Sequence, residues 1–372
     1  MIVDFPYKFL KTNLLYTLNK PTKPKVVVYK VTNRCNMRCF MCGNFNKEHD
    51  SQSELTAEDI NRAFSDPYLK NLDIIRFTGG EPFIKKDLKD IIHTIYKNTN
   101  CKFYFITTNC TFIEKIEDLV RSVVPEGITL NFQVSLDSIG EEHDGIRGLK
   151  GASKIVLENL KHLKKLREKY HFSIGINQTV SLKNIKKVRE VNEFCRSNDF
   201  VHMLLLASQY HESDERKDFE DFNSNFLLHE PINKEDLQCF YNTLEEMENK
   251  TYYKTPYEKV RHLTENYIHY HAKNRLLRDY MSPLPKCMAY FNYFRILPDG
   301  TVIPCSLRSG LSIGNLKEQS FREMWRSVKA DTYRKIIKNC QGCWVQCDII
   351  PSIPYSLHFY KWIVSNLFSF KF

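Results

Sequence analysis

The sequence predicts an α/β protein built on a parallel sheet, with a small α+β unit following it. Between residues 26 and 207, six short apolar runs of strand type alternate with runs of helical spacing. The polar residues able to carry chemistry gather just after those strands, and past residue 286 come a hairpin signal and a second group of cysteines. Strands alternating with helices imply parallel pairing through right-handed crossovers. Six such units make either an open doubly wound sheet or a partial (β/α)6 barrel of the TIM type. In both, function collects at the carboxyl ends of the strands.

Residues 1–25 are mixed and broken by prolines, an N-terminal extension too short for a separate domain. Residues 26–31, Val-Val-Val-Tyr-Lys-Val, read as a buried first strand. Thr56, with Asp59 three positions on, marks a capped helix start, and that helix runs to Phe64. The second strand, 72–78, ends in Gly79-Gly80-Glu81-Pro82, and a helix spans 87–95. The third strand, 102–108, ends in Thr107-Thr108-Asn109; a helix over 113–124 leads to the fourth, 128–136, which ends in Ser135-Leu136-Asp137. Residues 142–148 read as a loop before a long helix, 153–170, whose Ile155, Val156, Leu160, Leu163 and Leu166 share one face. Strand five covers 172–180, a helix 185–195, and strand six 201–207, closing the core at 26–207.

Residues 208–286 form a polar helical linker, with a mobile loop at 211–221 and helices at 234–248 and 257–280. The small unit, 287–350, opens on a hairpin: 294–297 and 301–304 flank Pro298-Asp299-Gly300, an Asp-Gly turn. Gly314-Asn315 precedes a helix over 321–328, and an aromatic tail occupies 351–372.

Hydrophobic residues make up 42% of the chain and charged residues 26%, a soluble globular balance. The net charge of +10 is spread as isolated lysines, which a solvated surface explains, with a weak pull on acidic partners. No basic stripe interleaved with stacking aromatics is present, which speaks against nucleic acid as a partner. The start of the chain lacks a basic segment followed by an apolar run. No stretch reaches the ~18 apolar residues of a membrane-spanning helix. A cytoplasmic chain is expected, and twelve cysteines in such a chain point to metal rather than disulfides. Cys101, Cys110, Cys195, Cys239 and Cys347 are scattered in the manner of inert thiols.

Cys35, Cys39 and Cys42 stand in a C-x3-C-x2-C pattern on the loop after the first strand. Three thiolates are one short of the set that closes a 4Fe–4S cluster, leaving one iron open to a small molecule. A zinc knuckle is the competing reading; it wants a fourth ligand, and only His49 lies near in sequence. Followed one strand later by Gly79-Gly80-Glu81-Pro82, the cysteine pattern resembles that of the radical S-adenosylmethionine (radical SAM) enzymes. The residue before the last cysteine is commonly aromatic in that family; here it is Met41, with Phe40 beside it.

The resemblance implies a partial (β/α)6 TIM-type barrel, a 4Fe–4S cluster on Cys35, Cys39 and Cys42, and S-adenosylmethionine chelating the open iron. It further implies reductive cleavage to a 5′-deoxyadenosyl radical that abstracts hydrogen from a substrate. Residue roles follow by the same resemblance. Gly79 and Gly80 admit the methionine moiety close to the backbone, and Glu81 accepts from its ammonium. Ser135 and Asp137 hold the ribose hydroxyls, and Arg147, in a His-Asp-x-Ile-Arg-Gly run, pairs with the carboxylate. Asn109 and Asn177 make further contacts near ribose and adenine.

Cys287-x12-Gly300-x4-Cys305, followed by Cys340 and Cys343, resembles the SPASM and twitch extensions of the same superfamily. The resemblance implies one auxiliary 4Fe–4S cluster on Cys287, Cys305, Cys340 and Cys343, since the five cysteines of this region are too few for two. Cys347 either replaces one of the last two ligands or is free, and a zinc site on the same cysteines is the alternative. Such a cluster either accepts an electron from a substrate radical or helps place the substrate. For an epimerisation, Cys195, Cys239 or Cys347 would be the candidate hydrogen donor.

A reductant such as flavodoxin or ferredoxin is the expected electron source. A sugar, a lipid-linked small molecule and a peptide remain open as substrates, although residues 1–25 leave no room for a peptide-binding domain ahead of the core. An RNA-modifying enzyme and a non-catalytic iron–sulfur or zinc protein are the rival classes. The tail, with Phe359, Tyr360, Trp362 and Ile363 beside Lys361 and Lys371, either packs on the protein or makes peripheral contact with a membrane.

Overall fold

The computed structural model describes residues 5–42, 51–207, 231–248, 256–278, 285–340 and 346–366. Its centre is one sheet. The strands are β1 (Val26–Lys30), β2 (Ile74–Thr78), β3 (Phe103–Thr108), β4 (Thr129–Ser135), β5 (Ser173–Val180), β6 (Val201–Leu206), β7 (Tyr293–Ile296), β8 (Thr301–Ile303) and β9 (Gly314–Asn315). They lie in the order β6-β5-β4-β3-β2-β1-β7-β8-β9. From β1 to β6 each strand is placed beside the last, always on the same side, and every pair is parallel. Crossovers of one hand that always step the same way put all the helices on one face, so the sheet curls into a partial barrel. A doubly wound sheet would need the order to reverse at a switch point. Pairings such as Lys30↔Thr78, Thr108↔Val134 and Ser135↔Asn177 bring the carboxyl ends level with one another.

The helical layer is fixed by apolar spacing. Ala57–Phe64 is closed by a capping box between Thr56 and Asp59 and buries Ile60, Ala63 and Phe64. Leu88–Asn98 buries Leu88, Ile91, Ile92 and Ile95, and Ala152–Tyr170 buries Val156, Leu160, Leu163 and Leu166. These meet the outward residues of the strands, among them Val27, Tyr29, Ile75, Phe77, Tyr104 and Ile106, in one continuous core. Each such side chain contributes about 1.5–3 kcal/mol of burial before entropy is counted.

The hairpin that opens the small C-terminal unit extends the sheet: β7 pairs parallel with β1, with Val26↔Tyr293 and Tyr29↔Ile296 in register. An uncovered β1 would be an apolar sheet edge, and β7, buried along its whole length, removes it. Residues 142–148, expected as a loop, lie in a helix, Glu141–Arg147. It ends at Gly148 in the left-handed region, and its Asp144 carboxylate accepts from the Gly151 and Ser153 amides. The helix expected over 321–328 is two helices, Phe321–Trp325 and Val328–Ile337, because Ser327 caps the second through the Ala330 amide.

The linker supplies helices Lys234–Glu248 and Pro256–Arg278, and the expected loop at 211–221 lies outside the described residues. The tail helix, Leu357–Asn366, turns Phe359 and Trp362 onto Tyr267 of Pro256–Arg278, with ring centroids 5.2 and 5.6 Å away. Its aromatic residues thus take part in packing. Among the described residues no helix is long and apolar enough to cross a membrane.

Helix Pro256–Arg278 also closes a cavity of about 380 Å³ against β5 and β6, lined by His202, His262, His269 and Glu265 among others. Burial holds the imidazoles neutral, with pKa values down from 6.5 to about 3 for His202 and about 4 for His262 and His269. Between those values and 6.5 the unfolded chain binds more protons, so each histidine removes stability as pH falls, by roughly 1.4 kcal/mol per pH unit. Glu265, raised by burial from 4.5 to about 7, acts in the opposite sense over that interval, but three groups outweigh one. Hydrogen exchange of residues 256–278 is therefore expected to accelerate between pH 6.5 and pH 4.5, after correction for intrinsic exchange. Unchanged protection across that range would contradict this account.

Candidate cluster and cofactor site

The cysteine loop is docked by its backbone on both sides. On one side Gly80 N–H donates to Thr32 O at 2.8 Å and Glu81 N–H to Arg34 O at 2.8 Å. The approach is so close that a Cβ at Gly79 would stand 2.6 Å from Thr32 O, and one at Gly80 2.1 Å from Arg34 O. The two glycines were expected to make room for a ligand; they first make room for the cysteine loop itself. On the other side Arg38 N–H donates to Arg147 O and Phe40 N–H to Ile146 O, at 3.0 and 3.1 Å. Gly148, at φ +64°, passes close under Arg38.

Beneath the loop lies a charge cluster that sequence reasoning missed. Glu54 is buried; it pairs with Arg34 at 3.1 Å and Lys85 at 3.3 Å and accepts from the Thr32 hydroxyl. Nothing in the spacing of these residues signals their meeting, since Glu54 and Arg34 lie on opposite sides of the cysteines.

So held, Cys35, Cys39 and Cys42 surround a cavity of about 210 Å³. Of the residues singled out from sequence, Gly79, Gly80, Asn109, Ser135 and Arg147 also line it. Thr78, Thr107, Thr108 and Thr179 complete the strand-end rim, with Met37 and Met41 from the loop. Thr78, Thr107 and Thr179 were findable: each lies on the inward-facing alternation at a strand end. Among the described residues no three Cys, His, Asp or Glu side chains converge on a single point as one ion requires. The three thiols instead ring a space.

Glu81, Asp137 and Asn177 do not line the cavity. The Glu81 carboxylate is fully buried and accepts from Thr108 Oγ1 (2.8 Å), Asn109 N (2.7 Å) and Phe83 N (3.2 Å). It ties the end of β2 to the end of β3. Burial lifts its pKa to about 7, against the pull of those three donors. Asp137 is fully buried as well and pairs with Arg147 at 2.7 Å, while its other oxygen accepts from Thr179 N at 2.8 Å. Arg147, expected to meet a ligand carboxylate, already has a protein one, and its guanidinium also reaches Cys39 Sγ at 3.7 Å. Burial works against the Arg147 charge, but Asp137 and Cys39 more than restore it. Removing one member of such a buried pair costs about 3–5 kcal/mol.

Asn109 donates to Asn36 Oδ1 at 2.7 Å, tying β3 to the cysteine loop. Asn177 lies beside Ser135 in register, and its side-chain oxygen is buried with no hydrogen-bond partner among the described residues. That orphaned acceptor, next to a lining hydroxyl, is what a ligand donor would satisfy.

Burial raises Cys35 to about 11 and also raises Cys39, with the neighbouring Glu81 or Asp137 and the other thiols adding to the effect. Iron must therefore displace protons from this loop on binding.

The second cysteine group is assembled differently. Cys287 is raised to about 12 by burial and by Cys340, and Cys305 by burial with Asp348, Cys287 and Cys340. These three thiols thus stand within electrostatic reach of one another. Cys343 lies outside the described residues. Cys347, on the short helix Gln346–Ile349, is not among the charges that raise Cys287 and Cys305. Cys287 precedes β7 and Cys305 follows the antiparallel β8, so both lie at the amino end of β1. The first loop is at its carboxyl end, about 16 Å away along five residues.

A parallel partial barrel with three thiols at one end and a second thiol group at the other is the architecture of a radical SAM enzyme with an auxiliary iron–sulfur domain. Residues 29–189 match the Radical SAM superfamily and residues 287–347 match SPASM, an iron–sulfur cluster-binding domain. The chain therefore carries a radical SAM domain and an iron–sulfur cluster-binding domain, which call for S-adenosylmethionine and 4Fe–4S clusters as cofactors.

Among its relatives, Fe-coproporphyrin III synthase of Methanosarcina barkeri is 30% identical over 181 residues, 49% of this chain and 43% of that enzyme, so the match spans less than half of it. The AdoMet-dependent heme synthase of the same organism is 23% identical over 84% of both chains. Among solved structures, Streptococcus suis SuiB bound to precursor peptide SuiA covers 90% of this chain and is itself covered to 75%, with TM-score 0.61 and 14% identity. Native anSMEcpe with bound AdoMet covers 93%, is covered to 97%, and gives TM-score 0.57 at 18% identity. These two share the fold.

The docking makes a sharp expectation for Gly80→Ala. Its Cβ must push the cysteine loop away, so the purified protein should retain about four irons per chain, in the auxiliary group, against about eight in the wild type. Gly145→Ala, whose Cβ meets nothing within 4 Å, should leave the iron content unchanged. Full iron in the Gly80 variant would show that the loop tolerates the shift.

Proposed function

We propose that this enzyme generates a carbon-centred radical from S-adenosylmethionine at the Cys35–Cys39–Cys42 loop and uses it to abstract hydrogen from an organic substrate. The observation that carries the reading is the cavity bounded by those three thiols and the ends of β2 to β5. When bound, a reduced 4Fe–4S cluster with S-adenosylmethionine supplies a 5′-deoxyadenosyl radical. Cys35, Cys39 and Cys42 would hold the cluster by three irons, leaving the fourth facing the cavity. The backbone of Gly79 and Gly80 would flank the methionine portion, while Ser135 and the unsatisfied Asn177 oxygen would meet the nucleoside. Arg147, held by Asp137, would set the charge beside Cys39, and Glu81 would keep the ends of β2 and β3 together.

Cys287, Cys305 and Cys340 would hold an auxiliary 4Fe–4S cluster, with Cys343 as the fourth ligand. From the far end of β1 that cluster would either take an electron from a substrate radical or help to hold the substrate. A flavodoxin- or ferredoxin-type reductant would feed the first cluster. The named relatives act on different substrates, so the supported class is a small molecule, sugar or peptide with a C–H bond to be broken.

Anaerobically purified, cluster-loaded protein given S-adenosylmethionine and dithionite should release 5′-deoxyadenosine, and a Cys35→Ala variant should not. A loaded wild type that leaves S-adenosylmethionine intact would refute the proposed activity.

A further inference from the structure

Strand residues alternate between the helical layer and the inside of the curl. In β2, Ile75 and Phe77 are fully buried in the helix-facing core, which puts Ile74, Arg76 and Thr78 on the inner face. Thr78 lines the cofactor cavity. Arg76 is one inward position deeper, about 7 Å along the strand. It sits opposite Val28 on β1 and Phe105 on β3, with its guanidinium 5.2 Å from the Phe105 ring centre. It is only partly buried, as are Phe105, Asn131 and Asn177 on the same inner face, so the inside of the curl is open to solvent and to ligands.

Two facts make Arg76 unusual. Among the described residues it has no carboxylate partner and no side-chain hydrogen-bond acceptor, and its guanidinium lies over the Phe105 ring. The six parallel strands also contain no Asp or Glu at all. Arg295, on β7 beyond β1, shows the contrast: Asp348 pairs with it at 2.8 Å. A guanidinium inside a partial barrel, walled by an aromatic ring and neutral polar groups, is a fork of donors without an acceptor.

Building on the radical chemistry proposed above, we infer that Arg76 is the substrate anchor and that the substrate carries a carboxylate or phosphate. Bidentate pairing with Arg76 holds that anion inside the barrel, one inward position below the cavity, and leaves the substrate's C–H bond facing the cysteine-loop end. Gln133 and Asn131, inner-face residues of β4, supply neutral hydrogen bonds beside it. An anion found here in place of a neutral molecule follows from the charge of the inner face alone.

The test uses cluster-loaded holoprotein at low ionic strength with S-adenosylmethionine bound, titrated with inorganic pyrophosphate, with citrate and with neutral glycerol. Wild type should bind at least one of the two anions saturably and glycerol not at all; the arm that binds tells phosphate from carboxylate. Arg76→Gln should weaken that anion about tenfold or more, and Arg76→Lys should fall between, having charge without the fork. Lys186→Gln, on a side chain 81% exposed, should bind as wild type. Release of 5′-deoxyadenosine without anion should be equal in wild type and Lys186→Gln. Saturable binding of neither anion by wild type, or equal anion binding in Arg76→Gln, would overturn the assignment. Absence of 5′-deoxyadenosine from both proteins would instead strike the radical chemistry, because anion binding is read independently of it.

Discussion

A backbone-to-backbone contact governs this molecule: the loop carrying Cys35, Cys39 and Cys42 is pressed between the Gly79-Gly80 turn and the Ile146–Gly148 segment. Main-chain hydrogen bonds on both sides fix a stretch that has no regular secondary structure. Such a loop would otherwise pay roughly 1–2 kcal/mol per residue of conformational entropy on ordering, with nothing to offset it. The buried Glu54, with Arg34, Lys85 and Thr32, secures its base, and the Asp137–Arg147 pair secures its far side. Several residues that resemble ligand contacts in sequence turn out to be parts of this clamp. Glu81 and Asp137 keep strand ends and charges in place, and the rim is made of four threonines, Ser135, Asn109, Arg147, the two glycines and the loop's Met37 and Met41.

The sheet converts that local clamp into a site with direction. Sequential strand order aligns the carboxyl ends, so each loop that follows a strand opens onto the same rim. Pairing of β7 with β1 gives one strand a cysteine group at each of its ends and couples them through shared main-chain hydrogen bonds and one apolar core that includes Phe294, Phe321 and Trp325. The N-terminal extension joins the same structure: the Trp325 indole donates to Thr22 O at 3.0 Å, and Tyr16 packs on Phe291. Between the two ends the inner strand face carries Arg76 and the neutral polar Asn131, Gln133 and Asn177.

Much of this was legible in the residues. Period-two alternation and helical spacing placed β1 to β6 within two residues of their observed limits, because each buries one face against a neighbour of the opposite period. The cysteine spacings located both thiol groups. What could not be read was long-range pairing. The β7–β1 contact depends on an edge strand finding a cover some 260 residues later in the chain, and nothing local encodes that. The helix Glu141–Arg147 was missed because Gly145 and Gly148 read as loop signals, whereas Gly148 in fact terminates the helix. The commitment of Glu81 to β3 was equally hidden: a strand-end glutamate looks the same in sequence whether it faces a ligand or a neighbouring strand.

The central claim is that the clamped loop offers three protein ligands and leaves one corner of its cluster to S-adenosylmethionine. Mössbauer spectroscopy on ⁵⁷Fe-loaded protein tests it most directly, using a variant with Cys287 and Cys305 changed to alanine so that only the first cluster contributes. Addition of S-adenosylmethionine should split off the signal of a single iron, with higher coordination, from the remaining irons of the cluster. Spectra unchanged by the addition would mean that the cluster is closed by a fourth protein ligand, and the loop would then not be the radical-generating site.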